Sequence, residues 1–109
     1  RIFPRLLENK QDTFDITDDR YFDYFSIQDL CTVVENFVVK TQVVFDVNCV
    51  YKEKYLISQV AQKFIDAHSL KSKLNIVSTS RNNYTGSSEN LYSLDIPLQG
   101  LDQGIRNYD

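Results

Sequence analysis

Two segments of the chain carry apolar residues at helical spacing. Between residues 54 and 68 these residues form a broad stripe with charged positions outside it, which predicts an amphipathic helix. Upstream, Ser26 can cap a helix by accepting a hydrogen bond from the amide of Asp29, whose charge suits a first turn. A helix is therefore predicted over residues 27–37. Its apolar face contains Ile27, Leu30, Val34 and Phe37.

Uninterrupted β-branched and aromatic residues indicate two strands. Residues 41–47 predict a strand that is buried on both faces, and residues 74–77 predict a second strand after the helix. Strand, helix and strand in this order form a βαβ unit from Val43 to Val77, whose crossover should be right-handed. The fold class that follows is α/β, with a small sheet built on this central unit and helices packed on it in three layers.

Shorter elements are expected elsewhere: a strand near Phe14 and a helical turn near Leu91. The chain is expected to form a single domain over residues 1–109, and residues 1–25 are expected to be irregular, acidic and aromatic. The sequence begins at Arg1 and contains no methionine. We therefore expect a processed or trimmed piece of a longer protein, whose natural N-terminus is not seen.

Composition and charge disfavour several classes of protein. Of the 109 residues, 42% are hydrophobic and 25% are charged, as in an ordinary globular domain. The net charge is −3 and the pI is near 5.0, so the chain lacks the basic surface that a general nucleic-acid binder needs. No apolar run approaches the roughly 20 residues of a membrane-spanning helix.

The residue types that catalysis and metal binding require do not occur in recognisable patterns. His68 is the only histidine, and it lies at a predicted helix end where a cation suits the helix dipole. No Gly-rich phosphate loop follows residues 41–47, and the cysteine, histidine and acidic residues lack metal-ligand spacing. We therefore predict no catalytic centre, no metal site and no cofactor.

Two further features concern covalent chemistry. Cys31 and Cys49 are too few for a disulfide framework and are expected to be reduced thiols. Cys49 is expected to be the more reactive, because Lys52 and Lys54 would lower its pKa. Asn83 begins the triplet Asn-Tyr-Thr, an acceptor for N-glycosylation in a polar loop. The compartment stays open between the cytoplasm and the secretory pathway, which the triplet slightly favours.

The acidic and aromatic segment between residues 18 and 25 is the best candidate for a surface that binds a protein partner. Tyrosine and phenylalanine are enriched in interface cores, and charged residues in interface rims. The predicted partner-binding residues are Tyr21, Phe22, Tyr24, Phe25, Asp18 and Asp19. The alternative is that Phe22 and Phe25 pack into the core of the domain itself.

The stretch from Thr41 to Pro97 resembles the thioredoxin fold. The resemblance rests on the strand, helix and strand predicted above and on the segment that ends at Pro97. It implies a cis bond before Pro97, beside the turn at residues 48–52, whereas the alternative is a trans proline that ends an element. The redox Cys-x-x-Cys, which would fall near Lys52, is absent. The resemblance therefore implies a redox-inactive module, like the substrate-binding domains of disulfide-isomerase relatives.

Residues 46–50 are similar to the metal-binding Asp-x-Ser-x-Ser turn of von Willebrand A domains. Asp46 and Asn48 match the first two ligand positions, whereas Val50 stands at the third. This second resemblance implies an adhesion domain with a degenerate metal site. Together, these observations favour a non-catalytic domain that binds another protein. The alternatives are a fragment that completes a larger assembly or enzyme, and an adhesion domain of the von Willebrand A type.

Overall fold

The computed structural model describes residues 2–39 and 46–108. The elements in these ranges, in chain order, are α1 (Ile2–Glu8), β1 (Thr13–Ile16), α2 (Ile27–Val39), α3 (Ile57–Ala67), β2 (Lys73–Ile76), α4 (Glu89–Ser93) and α5 (Leu101–Arg106). The chain divides into two compact units. The first comprises Arg1–Phe22 and Tyr55–Tyr84, and the second comprises Asp23–Lys54 and Thr85–Asp109. The single domain expected from the sequence stays a prediction.

A small parallel sheet is the frame of the first unit. β1 and β2 pair in parallel, with Phe14 opposite Leu74 and Ile16 opposite Ile76. Between β1 and β2 the chain contains α2 and α3, and α3 packs against β2. Of the βαβ unit predicted from Val43 to Val77, α3 and β2 are present, and most of the first strand lies outside the described residues. The predicted α/β fold class is thereby confirmed, and the three-layer arrangement stays a prediction.

Most of the short elements agree with the sequence pattern. The predicted helix at 54–68 is confirmed as α3, the strand at 74–77 as β2, the strand near Phe14 as β1 and the turn near Leu91 as α4. The strand predicted within residues 41–47 falls mainly on residues 41–45, which lie outside the described residues.

Helix α3 supplies much of the core of the first unit. Val60, Ala61 and Phe64 are fully buried, as their helical spacing predicts. The ring of Phe3 in α1 stacks on that of Phe64, with ring centroids 4.4 Å apart. Residues 1–25 are expected from the sequence to be irregular, but they contain α1, which the sequence pattern does not reveal because a proline usually discourages a helix. Pro4 is tolerated here because it lies in the first turn, where backbone amides have no helical partner.

A buried aspartate joins α3 to the chain that follows β2. The carboxylate of Asp19 accepts hydrogen bonds from the amide and the hydroxyl of Ser58, at 2.9 and 2.6 Å. Ser58 lies in the first turn of α3, where amides lack helical partners and a negative charge suits the helix dipole. The backbone of Asp19 bonds to Ser78 and Ser80. Asp19 therefore bonds to the start of α3 through its side chain and to the chain after β2 through its backbone.

In the second unit, α2 begins where the sequence predicts. The hydroxyl oxygen of Ser26 accepts a hydrogen bond from the amide of Asp29 at 3.1 Å, which confirms the predicted cap. Helix α5 packs against α2. A Cβ atom at Gly104 would lie 2.4 Å from that of Ser26, so only glycine allows the two helices to approach this closely.

The orientation of α2 differs from the one that its apolar stripe suggests. Three positions of the stripe are exposed: Ile27 at 64%, Leu30 at 37% and Val34 at 53%. Asp29 and Val33, four residues apart on one helix face, are buried instead. The physical reason is the carboxylate of Asp29, which hydrogen bonds hold inside the second unit. The side chain of Phe37, the fourth member of the stripe, lies outside the described part of the chain.

The peptide bond before Pro97 is trans, and no cis bond occurs within the described ranges. The cis bond implied by the thioredoxin resemblance is therefore not found. Pro97 lies between α4 and α5, and trans is the isomer that X–Pro bonds favour. Among the helices of residues 2–39 and 46–108, none is long and apolar enough to cross a membrane.

Replacing Asp19 with alanine should lower the free energy of unfolding by about 2–3 kcal/mol, because the buried donors of Ser58 would lose their acceptor. Urea denaturation measures this loss. The matched control is Asp12→Ala, since Asp12 is an exposed aspartate in the same unit. Equal losses for the two variants would contradict an anchoring role for Asp19.

Candidate functional site

Two exposed aromatic rings and the half-buried guanidinium of Arg20 form a cluster in the first unit, which we call the aromatic patch (Arg20, Phe22 and Tyr84). Phe22 is 39% exposed and Tyr84 is 60% exposed. Their rings meet edge to face, with centroids 6.1 Å apart. The guanidinium carbon of Arg20 lies 5.2 Å from the centroid of the Tyr84 ring, within the range of a cation–π contact.

Backbone hydrogen bonds fix the segment that carries this patch. The amide of Phe22 donates to the carbonyl of Tyr55 at 3.2 Å, and the amide of Tyr84 donates to the carbonyl of Tyr21 at 2.9 Å. The amide of Tyr21 donates to Oδ1 of Asn83 at 3.1 Å. Because the segment is bonded on both sides, a partner would find the rings already ordered.

Tyr21 belongs to the opposite face of this segment. Successive residues of an extended chain point to opposite sides, so Arg20 and Phe22 share a face that Tyr21 does not. The hydrogen bonds alternate accordingly, since Arg20 and Phe22 bond to residues 55–57 whereas Tyr21 bonds to Tyr84. Tyr21 is 41% exposed, as predicted for a surface residue, but it lies outside the aromatic patch.

The two aspartates predicted to bind a partner have different environments. Asp18 is exposed, and its carboxylate accepts a hydrogen bond from the hydroxyl of Ser78 at 3.3 Å. Asp19 is 4% exposed, and both of its carboxylate oxygens are occupied by Ser58. Its role is therefore corrected from partner binding to support of α3. An aspartate in an acidic segment need not face water when a helix start offers it donors.

Tyr24 and Phe25, the other predicted partner-binding residues, belong to the second unit and are half-buried. The ring of Phe25 packs on that of Tyr51, with centroids 4.5 Å apart, in agreement with the alternative that this residue packs inside. Burial also raises the pKa of Tyr24. Nearby in sequence, Asp23 forms an ion pair with Lys54 at 2.7 Å. The predicted residues are therefore divided between the two units, and Phe25 packs within its own unit.

A second buried carboxylate organises the second unit. Asp29, 1% exposed, accepts hydrogen bonds from the Tyr51 hydroxyl at 2.5 Å and from the amides of Gln99 and Gly100 at 2.8 and 2.9 Å. Burial alone would raise the pKa of Asp29, but these hydrogen bonds outweigh it and lower the pKa. Burial and the bond to Asp29 raise the pKa of Tyr51 to about 12. The pair is a structural joint whose donors and acceptors are already satisfied within the chain.

The cysteines are both free thiols, and their surroundings favour the opposite order of reactivity to the one expected from the sequence. Cys31 is exposed on α2, whereas Cys49 is half-buried. Burial raises the pKa of the Cys49 thiol, opposite to the predicted direction. The lysines expected to lower it are engaged elsewhere, Lys54 in an ion pair and Lys52 over the ring of Tyr92.

Sequence reasoning missed two members of the aromatic patch, Arg20 and Tyr84. Tyr84 is the middle residue of the Asn-Tyr-Thr triplet, all of which is exposed. Its sequence signal was an aromatic residue in an otherwise polar loop. Glycosylation of Asn83 stays a prediction, and the side chain of Asn83 already supports the amide of Tyr21 through Oδ1.

Three other kinds of site are candidates: a metal site, the turn at residues 46–50 and a surface depression. No group of three His, Cys, Asp or Glu side chains within the described ranges is arranged to hold a metal ion. At the turn similar to that of von Willebrand A domains, Asp46 and Asn48 are exposed and Val50 is buried. An open depression of about 460 Å³ beside β1 is lined in part by Arg5 and Glu8. Enclosed apolar pockets are the usual sites for small molecules, and this depression is not of that kind.

Comparisons with protein-family models, with curated protein sequences and with solved structures find no match to this chain.

Replacing Tyr51 with phenylalanine should change how stability depends on alkaline pH. The pKa of Tyr51 is raised from 10.0 to about 12, so the stability contributed by its protonated hydroxyl is complete below pH 10 and is lost as the pH rises toward 12. Urea denaturation across this range should show a steeper decline for the wild-type chain than for Tyr51→Phe. Parallel curves for the two proteins would contradict the joint with Asp29.

Alkylation of the native chain with iodoacetamide should modify Cys31 faster than Cys49, because Cys31 is exposed and burial raises the pKa of Cys49. Peptide mass mapping at successive times measures both rates. The Cys31→Ser variant should retain only the slow reaction. Faster labelling of Cys49 would instead restore the order expected from the sequence.

Proposed function

We propose that this chain is a non-catalytic domain that binds another protein through the aromatic patch. The observation that carries the proposal is the joint exposure of the rings of Phe22 and Tyr84 beside the guanidinium of Arg20. Tyrosine and arginine are enriched among the residues that dominate the energy of protein interfaces. Single exposed apolar residues are ordinary on protein surfaces, whereas a fixed cluster of them is informative.

The surroundings of the patch also suit a protein partner. Asp18 lies 3.9 Å from the guanidinium of Arg20 and is itself exposed, so a polar, charged rim adjoins the aromatic rings. Interfaces commonly combine an aromatic centre with such a rim. The backbone bonds on both sides of the segment reduce the ordering that binding would require.

This proposal does not depend on either family resemblance. The thioredoxin-like interpretation gains no support from Pro97, because the bond before it is trans. The von Willebrand A interpretation concerns Asp46 and Asn48, which belong to the second unit and not to the patch. A fragment that completes a larger assembly remains the alternative function, and it would use the same patch as an internal contact.

Peptides that bind the full chain can be selected independently from a random library. Their affinity should fall about tenfold when either Tyr84 or Arg20 is replaced with alanine. The unfolding midpoint of Tyr84→Ala should be nearly unchanged, because this side chain is 60% exposed. Fluorescence anisotropy measures the affinities and thermal denaturation the midpoint.

The matched control is Tyr21→Ala, because Tyr21 is a similarly exposed tyrosine on the opposite face of the same segment. If most binders lose affinity on Tyr21→Ala and not on Tyr84→Ala, the proposed surface is wrong. Binders that respond to Ile27→Ala instead would assign the interaction to the stripe on α2.

A further inference from the structure

The sheet of the first unit has an open edge at β2. In a parallel ladder, alternate residues of a strand bond to the same neighbour. The amides of Lys73 and Val77 donate to carbonyls of the β1 chain at 2.9 and 2.8 Å. Leu74 and Ile76 therefore direct their amides and carbonyls away from β1. No strand within the described ranges pairs with this outer edge.

The apolar face of the sheet is covered at β1 but open at β2. Phe14 and Ile16 are 7% and 3% exposed. Their partners in the ladder share the same face, yet Leu74 is only half-buried and Ile76 is 49% exposed. A strand added beside β2 would cover Leu74 and Ile76 with its own alternate side chains.

The charge at this edge is positive. Lys73 lies on the opposite face of β2 from Leu74, and Lys71 precedes it by two residues. Both lysines are exposed, and neither forms an ion pair with a residue that the structure describes. Strand β2 itself contains no acidic residue. Acidic side chains on an added strand would therefore meet unpaired cations.

The same charge disfavours a second copy of β2 as the occupant. Pairing two copies would bring Lys71 and Lys73 of both chains to one edge, and lysine on an edge strand is a common protection against such pairing. An occupant of opposite charge meets no such repulsion.

We propose that the outer edge of β2 binds an extended peptide segment in which apolar residues alternate with acidic ones. The segment adds a strand to the sheet, and its backbone bonds to the amides and carbonyls of Leu74 and Ile76. Its apolar side chains cover Ile76, and its acidic side chains face Lys73. This site is separate from the aromatic patch and does not rest on it.

The first test uses a seven-residue peptide of alternating valine and glutamate, labelled with a fluorophore, and the full chain. We expect binding that weakens as salt is added. A peptide with lysine in place of glutamate should bind at least about tenfold more weakly, because like charges then meet. Methylating the backbone amides at alternate positions should abolish binding in one register and leave it unchanged in the other.

The second test changes the protein. Ile76→Pro removes an amide that faces outward and leaves the bonds to β1, so affinity should fall at least about tenfold, and by clearly more than in the control Ile76→Ala. Lys73→Glu should weaken binding about fivefold, whereas the control Lys10→Glu, at another exposed lysine of the same unit, should not. Thermal denaturation shows whether each variant folds, and the methylated peptides test the same edge without any change to the protein.

Three outcomes would overturn the proposal. One is the absence of binding by the acidic peptide. Another is equal binding by peptides methylated in the two registers. The third is a concentration-dependent dimer that Ile76→Pro abolishes, because it would assign the edge to a second copy. Tyr84→Ala should leave the affinity of the acidic peptide unchanged, so failure at the edge and failure at the aromatic patch are distinguishable.

Discussion

The buried carboxylate of Asp29 is the interaction on which the second unit depends. Its three hydrogen bonds tie the first turn of α2 to Tyr51 and to the chain before α5. Hydrogen bonds to a charged group contribute about 1.5–3 kcal/mol each. Burying an aliphatic side chain of the exposed stripe would contribute roughly 1.5–3 kcal/mol. The two energies are of the same order, but turning α2 about its axis would break all three hydrogen bonds at once. Val33 is therefore buried, and Ile27 is exposed to solvent.

Asp19 solves the same problem in the first unit with different donors. Its carboxylate accepts hydrogen bonds from Ser58 in the first turn of α3, whereas the carboxylate of Asp29 accepts them from the amides of Gln99 and Gly100, which precede α5. The backbone of Asp19 also bonds to Ser78 and Ser80, on the chain that leads from β2 to Tyr84. Carboxylates that look like surface residues in the sequence are therefore the internal supports of both units.

Periodicity and capping residues were sufficient to predict the elements whose burial follows the hydrophobic pattern. The stripe of α3, the strand pair at Phe14 and Leu74, and the cap at Ser26 all follow local rules. Two kinds of feature could not be predicted from these local patterns. Helix α1 contains Pro4, which is compatible with a helix only because it lies in the first turn. The sequence pattern does not show where this helix begins. The orientation of α2 and the burial of Asp19 depend on donors that are distant in sequence, and no local pattern reports such donors.

The candidate surfaces could not be predicted from the sequence for the same reason. Phe22 and Tyr84 are neighbours only because the chain after β2 runs beside the chain after β1, with bridges at Asp19 and at Phe22. The outer edge of β2 and one member of the aromatic patch, Tyr84, therefore belong to one continuous run of chain, from Lys73 to Tyr84. In the functions proposed above, the edge would bind the backbone of a partner and the patch would bind its side chains. The backbone of Asp19 bonds to this run between the two surfaces, at Ser78 and Ser80, while its carboxylate fixes the same residue to the start of α3.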